Sequence, residues 1–202
     1  MYTVKTAKEE IKNSIRAYLR KDGKGKYIMK EENRLPFYTI GKPGVGKTQM
    51  AKQIAEELRI GFVSLSITHH TRNTALGLPV ICEDESVNGN VKYTQYTMSE
   101  ILAMVEKEVK KGFTEGILLI DEFACMAESL VAPMLAFLQT KNIGNHVLPE
   151  GWILILCSNP PQYNKSARVF DAAIMDRVRK MEIVADGNVF IEYAREKEFH
   201  PV

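Results

Sequence analysis

The period of the apolar positions changes along the chain, and each change marks an element. Ile11, Ile15 and Leu19 recur every four residues behind Thr6 and Glu9, a capping-box pair, which predicts an amphipathic helix over residues 7–20. A basic, glycine-containing linker, Lys21 to Lys26, leads to the short apolar run Phe37 to Ile40, which stops at Gly41. Met50, Ala51, Ile54, Ala55 and Leu58 then line one side of a helix from Gly46 to Arg59. Val63, Leu65 and Ile67 alternate with Ser64 and Ser66, the pattern of a strand over Phe62 to Ile67 with one more polar face. After a loop with Gly77 and Pro79, Val87-Asn88-Gly89-Asn90-Val91 supplies a hairpin turn and Lys92 to Tyr96 its return strand. Thr97 with Glu100 caps a helix faced by Ile101, Leu102, Val105 and Val109 and stopped by Gly112. Ile117 to Ile120 and Trp152 to Cys157 are unbroken apolar runs, the pattern of strands covered on both faces. Residues 124–139 read as a helix around Pro133, and Met181 to Val184 as a further strand. Strands alternating with helices predict an α/β fold, a doubly wound parallel sheet with helices on both faces.

Composition narrows the class. A chain of 202 residues, 45% hydrophobic and 26% charged, has the make-up of an ordinary globular protein, which excludes disordered and collagen-like readings. Its longest apolar runs fall far short of the ~20 residues that span a bilayer. Met1 to Glu10 mixes charges of both signs without an apolar core, so a cytoplasmic protein without membrane contact is expected. Cys82, Cys125 and Cys157 lack CxxC spacing and are expected to be small core residues; Met50, Met98, Met104, Met126 and Met134 are expected to be core fillers. A net charge of +2 does not by itself imply nucleic acid. The first 34 residues nevertheless carry ten Lys and Arg against five acids, a solvated face or, alternatively, a contact with nucleic acid through Arg16, Arg20, Lys21, Lys24 and Lys26.

Candidate chemistry is concentrated in three places. Gly41-Lys42-Pro43-Gly44-Val45-Gly46-Lys47-Thr48, followed by Gln49, satisfies GxxxxGK[ST] between a predicted strand and a predicted helix, the context of a phosphate-binding P-loop. Glycines let backbone amides aim at phosphate oxygens, Lys47 supplies a full charge, and the Thr48 hydroxyl can ligate Mg²⁺. Asp121 and Glu122 stand at the tip of a buried strand on the same sheet edge: Asp121 suits the Mg²⁺ shell, Glu122 the orientation of an attacking water. The next buried strand delivers Asn159 there, suited to the γ-phosphate or the water. Arg177 and Arg179 are both candidate charge donors, and spacing does not choose between them. No His/Cys/Asp cluster supports a protein-held transition metal, and His69 and His70 read as ordinary loop residues. A guanine-reading NKxD tetrapeptide is absent, although adenine selection is not legible either.

The order of these motifs over residues 30–200 resembles the AAA+ ATPases, and within them the MoxR-like and dynein-related group. GKPGVGKT resembles Walker A, ILLIDE Walker B and LCSNP sensor 1; Asn142 to Trp152 is similar to the hairpin before sensor 1, and Ala172 to Val178 to the arginine-finger segment. The resemblance implies ATP and Mg²⁺ as ligands and a five-stranded sheet of order 5-1-4-3-2. It also implies a homo-oligomeric, usually hexameric ring in which Arg177, rather than Arg179, reaches the neighbour's nucleotide. It places the hairpin near Val87 to Tyr96 at the ring pore, with a polypeptide substrate or adaptor as partner; Tyr93 and Tyr96 would either grip that polypeptide or pack within the hairpin. The implied organisation is an N-terminal helix and linker (1–34), a nucleotide-binding core (35–184) and the start of a helical lid (185–202). Only Asp186 to Glu198 matches that lid, so a truncated chain is expected and no sensor 2 arginine can be assigned. A nucleotide-gated adaptor on nucleic acid, in the manner of a helicase loader, is the alternative reading, and a GTPase of the same clade a third.

Overall fold

The two unbroken apolar runs occupy the middle of the sheet. The computed structural model describes residues 1–84 and 91–196. Chain order is β1 (Tyr2–Thr3), α1 (Val4–Tyr18), β2 (Phe37–Gly41), α2 (Lys47–Leu58), β3 (Gly61–Ser66), α3 (Arg72–Leu76), β4 (Pro79–Asp84), β5 (Val91–Tyr96), α4 (Glu100–Lys110), β6 (Gly116–Asp121), α5 (Glu128–Thr140), β7 (Asn142–Ile143), β8 (His146–Val147), β9 (Trp152–Ser158), α6 (Ala172–Met175), β10 (Arg179–Val184) and α7 (Gly187–Glu196). Six strands form one parallel sheet in the order β1-β10-β2-β9-β6-β3. The expectation of five strands is therefore corrected to six. Tyr2–Thr3 pairs with Ile183 and Val184 at the edge, and two residues are too few to leave a period-2 signal.

Alternation along the strands divides the core into two layers. Ile117 and Leu119 of β6 share one layer with Ile11 and Ile15 of α1 and Ala51 and Ile54 of α2. Leu118 and Ile120 point the other way, into a layer with Leu102 and Val105 of α4 and Phe137 of α5. Covered on both faces, such a strand has no polar positions to alternate with, which is why it reads as a continuous apolar run. Cys157 lies fully inside, whereas Cys82 and Cys125 are half-buried. Met98 is 40% exposed, so it is not a core filler; it lies on the approach to α4.

Local capping differs from the sequence reading at two helices. Thr3, not the Thr6–Glu9 pair, caps α1, its hydroxyl accepting the Thr6 N–H at 3.2 Å. Ser99 caps α4 by accepting the Leu102 N–H, while the Thr97 hydroxyl accepts the Leu78 N–H and closes the base of the β4–β5 ladder. The outgoing arm of that ladder, Pro79–Asp84, was expected to be loop; Val91–Tyr96 returns as expected. The turn assigned to Val87–Asn90 lies outside the described residues. Residues 124–139 are not one helix: a 3-10 turn, Phe123–Cys125, precedes α5, and Pro133 lies inside the helix.

The basic N-terminal segment is bound to the core rather than free of it. Lys8 and Lys12 pair with Glu57, Lys21 with Glu115, and Arg179 donates to Glu10 and to Ser14 Oγ. Arg34 is buried, stacked over the Tyr27 ring, and donates to Met29 O, Glu150 O and Glu150 Oε1. Exposed pairs of this kind contribute little individually, but the Arg34 fork desolvates and ties the linker to the segment before β9.

Trp152 anchors the near edge of the sheet. Gly61, Gly116 and Trp152 are neighbours in register across β3, β6 and β9. The indole lies over both glycines, so that an added Cβ would come within 2.9 Å of it at Gly61 and 2.7 Å at Gly116. Gly116→Ala should therefore destabilise the fold by about 1–3 kcal/mol through overpacking, measured by chemical denaturation. The same substitution in a Trp152→Leu background should be much milder; equal effects in both backgrounds would refute the indole as the cause.

Candidate active site

β2 ends at Gly41, and the chain passes through Gly44 (φ +78°) and Gly46 (φ +93°) before α2 begins at Lys47. Nothing lies within 4 Å of an added Cβ at either glycine, so left-handed backbone, not crowding, demands glycine there. Gly41 is different: a Cβ would stand 2.6 Å from the Ile183 carbonyl of the adjacent strand. Gly46 offers no side-chain cap, which leaves the first-turn amides of α2 available to a ligand.

Lys47 is only 7% exposed. Its Nζ donates to Gly41 O at 2.9 Å, Lys42 O at 3.0 Å and Asn159 Oδ1 at 2.8 Å, all neutral acceptors. No carboxylate pairs with it among the described residues. Burial pushes its pKa below the ordinary lysine value, which marks a cation that an arriving anion would stabilise.

The acids stand opposite. Asp121 Oδ2 accepts the Thr48 hydroxyl at 2.7 Å, and its Oδ1 accepts the Glu122 N–H at 2.8 Å. Glu122 has left-handed backbone, φ +54°, a conformation that is uncommon for a residue with a Cβ and concentrates at functional sites. Its Oε2 accepts the hydroxyls of Ser66 at 2.5 Å and Thr68 at 2.8 Å. Those two bonds, with the positive field of His69, hold its carboxyl below the usual carboxylate range. The turn after Glu122 is pinned where the Ala124 N–H donates to Ser158 Oγ at 2.8 Å.

Together these groups line a cleft of about 490 Å³ that takes in Pro43, Gly44, Gly46, Lys47, Thr48, Gln49, Ser66, Asp121, Glu122 and Asn159. Gly41, Lys42 and Val45 shape the loop without lining the cleft; Val45 packs toward the core. Arg177 is not at this edge. It precedes β10, whose first residue pairs with Phe37 at the start of β2, and it bonds Gln139 and Ala173. Arg179 is committed to Glu10 and Ser14, which removes it as a free charge donor. His70 is nearly buried, its Nδ1 3.6 Å from Glu100 Oε2. Ser66 and Thr68 were missed from sequence: Ser66 was legible only as part of a polar strand face, until the parallel register set it beside Asp121.

The residues fit a magnesium nucleotide. A hydroxyl and one carboxylate are hard oxygen donors, few enough to leave room for the phosphates and waters that Mg²⁺ retains. No group of three or more His, Cys, Asp or Glu able to cage a metal occurs among the described residues.

A parallel sheet with a glycine loop leading into an uncapped helix, and an acid pair at the tip of a neighbouring strand, defines a P-loop nucleoside-triphosphate-binding fold. Residues 37–183 match the ATPase family associated with various cellular activities (AAA), and the chain belongs to that family. In structure it is similar to a candidate ATPase from Cytophaga hutchinsonii ATCC 33406, with 15% identity and a TM-score of 0.60 over 96% of this chain and 51% of that one. The chain thus spans about half the length of that relative, and the likeness is one of fold. No curated protein sequence matches the chain. No described helix is long and apolar enough to cross a membrane.

Two predictions follow from the charges. Lys47→Met should leave the ligand-free protein at least as stable as the wild type, because it removes a buried cation lacking a counter-charge. It should also abolish the stabilisation by magnesium nucleotide, ~2.7 kcal/mol at a hundred times Kd. Thermal melts with and without nucleotide check both, and a large loss in the ligand-free melt would refute the first. For Glu122 the depressed pKa means that its hydroxyl bonds add stability above the unfolded carboxylate value of ~4.3. That contribution is lost as pH falls through the folded value. Replacing both donors, Ser66→Ala with Thr68→Val, should raise the Glu122 midpoint in a carboxyl ¹³C titration; an unmoved midpoint would show that the bonds are not what depresses it.

Proposed function

We propose that the chain is the nucleotide-binding core of an ATP-hydrolysing, MoxR-like remodelling motor. The observation that carries this reading is the juxtaposition of a buried, unneutralised Lys47 with the Thr48–Asp121 contact and Glu122 across one cleft. Loop amides and Lys47 hold the phosphates, and Thr48 and Asp121 hold magnesium, which when bound offsets phosphate charge. Glu122 orients the attacking water and accepts its proton. To do so it must leave Ser66 and Thr68, because a carboxylate saturated by two hydroxyls is a weak base. Asn159 exchanges its bond to Lys47 for the γ-phosphate or that water.

Arg177, on the far edge of its own sheet, acts on the nucleotide of the next subunit in a homo-oligomeric ring, a hexamer by family resemblance. An arginine supplied in this way is worth ~10³–10⁵ in rate. The β4–β5 hairpin, with Ile81 73% and Tyr93 46% exposed, faces a polypeptide substrate or adaptor in the ring pore. Residues 35–184 form the motor core, 1–34 a support packed on it, and 185–202 the start of a lid; the setting is the cytoplasm. The alternative, a nucleotide-gated nucleic-acid adaptor, is less favoured, because Lys8, Lys12, Lys21 and Arg34 already have acidic partners. Among the described residues no acidic partner pairs with Arg16, Arg20, Lys24 or Lys26, and salt-dependent binding of DNA or RNA lost on neutralising them would favour the adaptor.

Glu122→Gln should bind ATP with wild-type affinity by calorimetry while turnover falls ~10²–10⁴-fold. Turnover near the wild-type rate in that variant would sink the assigned role.

A further inference from the structure

Arg177 is held by two contacts of different kinds. Its Nε–H donates to Gln139 Oε1 at 3.2 Å, from the penultimate residue of α5, and its Nη1 donates to Ala173 O, four residues back in its own chain. Among the described residues no carboxylate pairs with it and its remaining guanidinium N–H groups have no partner. Arg179, two residues on, shows the contrast: Glu10 and Ser14 consume its fork.

The chemistry of the Gln139 contact is selective. A guanidinium has five donors in a rigid plane, so fixing Nε and one Nη sets the direction of the free edge. An amide oxygen fixes it without neutralising it; a carboxylate at the same position would form an ion pair and compete with any anion the arginine is meant to meet. Holding a long side chain before an encounter also removes rotamer entropy that would otherwise be lost at the reacting centre. Gln139 is exposed at the end of α5 and belongs to neither core layer, so packing does not require it.

We propose that Gln139 is the positioning residue of Arg177: a neutral acceptor that aims the guanidinium at an anionic group presented by a second copy of this chain. This rests on the reading of Arg177 as acting in trans, and the test separates the two. ATPase rate per subunit is measured against protein concentration for the wild type, Gln139→Met, Arg177→Ala and the double variant, with slowed hydrogen exchange at Arg177 Nε followed by NMR.

Gln139→Met should lower kcat at the concentration plateau about tenfold, leave KM for ATP and the melting temperature unchanged, and remove the exchange protection of Nε. In the Arg177→Ala background it should add nothing, the non-additivity expected of one residue acting through another. A wild-type plateau rate or unchanged Nε exchange in Gln139→Met, or a tenfold loss that persists without Arg177, overturns the positioning role while leaving the in-trans reading intact. An Arg177→Ala protein that keeps the wild-type rate at every concentration overturns the in-trans reading itself, and the proposal with it. Gln139→Glu serves as a second variant: it should keep Nε protected and still lower kcat, more so at low ionic strength.

Discussion

A buried ammonium held by three neutral oxygens is the interaction on which the site depends. Gly41 O, Lys42 O and Asn159 Oδ1 satisfy the three protons of Lys47 but cancel none of its charge. Such an arrangement is tolerable only because the hydrogen bonds are complete and Asp121 lies close enough to exert a favourable field. It is also a receptor with a defined preference. An anion placed at the helix N-terminus gains the full charge, the first-turn amides and the loop amides together, and water competes poorly for a group already withdrawn from it.

Everything that faces this ammonium arrives by the same architectural route. The strands are parallel, so their carboxyl ends share one edge, and the register decides what meets there: Ser66 beside Asp121, and Ile40 beside Ser158. Asn159 follows Ser158 and Glu122 follows Asp121, each one step beyond the strand end, while Lys47 opens α2 after the loop that leaves β2 at Gly41. The site is therefore built where strand ends meet the glycine loop and the start of α2, and Trp152 braces the opposite ends of β3 and β6. Glu122 is the exception. Its left-handed backbone and its two hydroxyl partners set it apart, and under the reading proposed above the carboxylate would have to leave those hydroxyls before it could act as a base.

What the sequence makes legible is what depends on neighbours along the chain. The P-loop, the acid pair and Asn159 are each announced by an apolar run ending in a fixed local pattern, and the cleft gathers them as those runs imply. The sheet was readable for the same reason, except for β1, whose two residues carry no periodicity. Helix caps were misread by two or three residues because several hydroxyls compete for each cap; Thr97 satisfies a strand amide instead and leaves α4 to Ser99. Ser66 and Thr68 were invisible as partners of Glu122 because 56 and 54 residues, respectively, separate them from it, and only the β3–β6 pairing brings them together. No local pattern encodes a contact of that range.

The two arginines at the end of the domain make the same point about charge. In sequence Arg177 and Arg179 are equivalent, but the strand between them and the core is not. Arg179 is the first residue of β10, and its side chain reaches Glu10 of α1 and lies over the Phe37 ring of β2. Arg177 lies before the strand begins, at the turn leaving α6, and finds only neutral oxygens. Lys47 and Arg177 thus share one property on opposite edges of a single sheet: each is a cation provided with hydrogen bonds and denied a counter-ion. Burying Lys47 without a counter-charge costs stability, and the partly exposed Arg177 gains little from its two bonds, so stability alone explains neither arrangement. A nucleotide phosphate, which an ATPase of this family binds, accounts for the first; under the reading proposed above, a phosphate held by another copy of the chain would account for the second with the same chemistry.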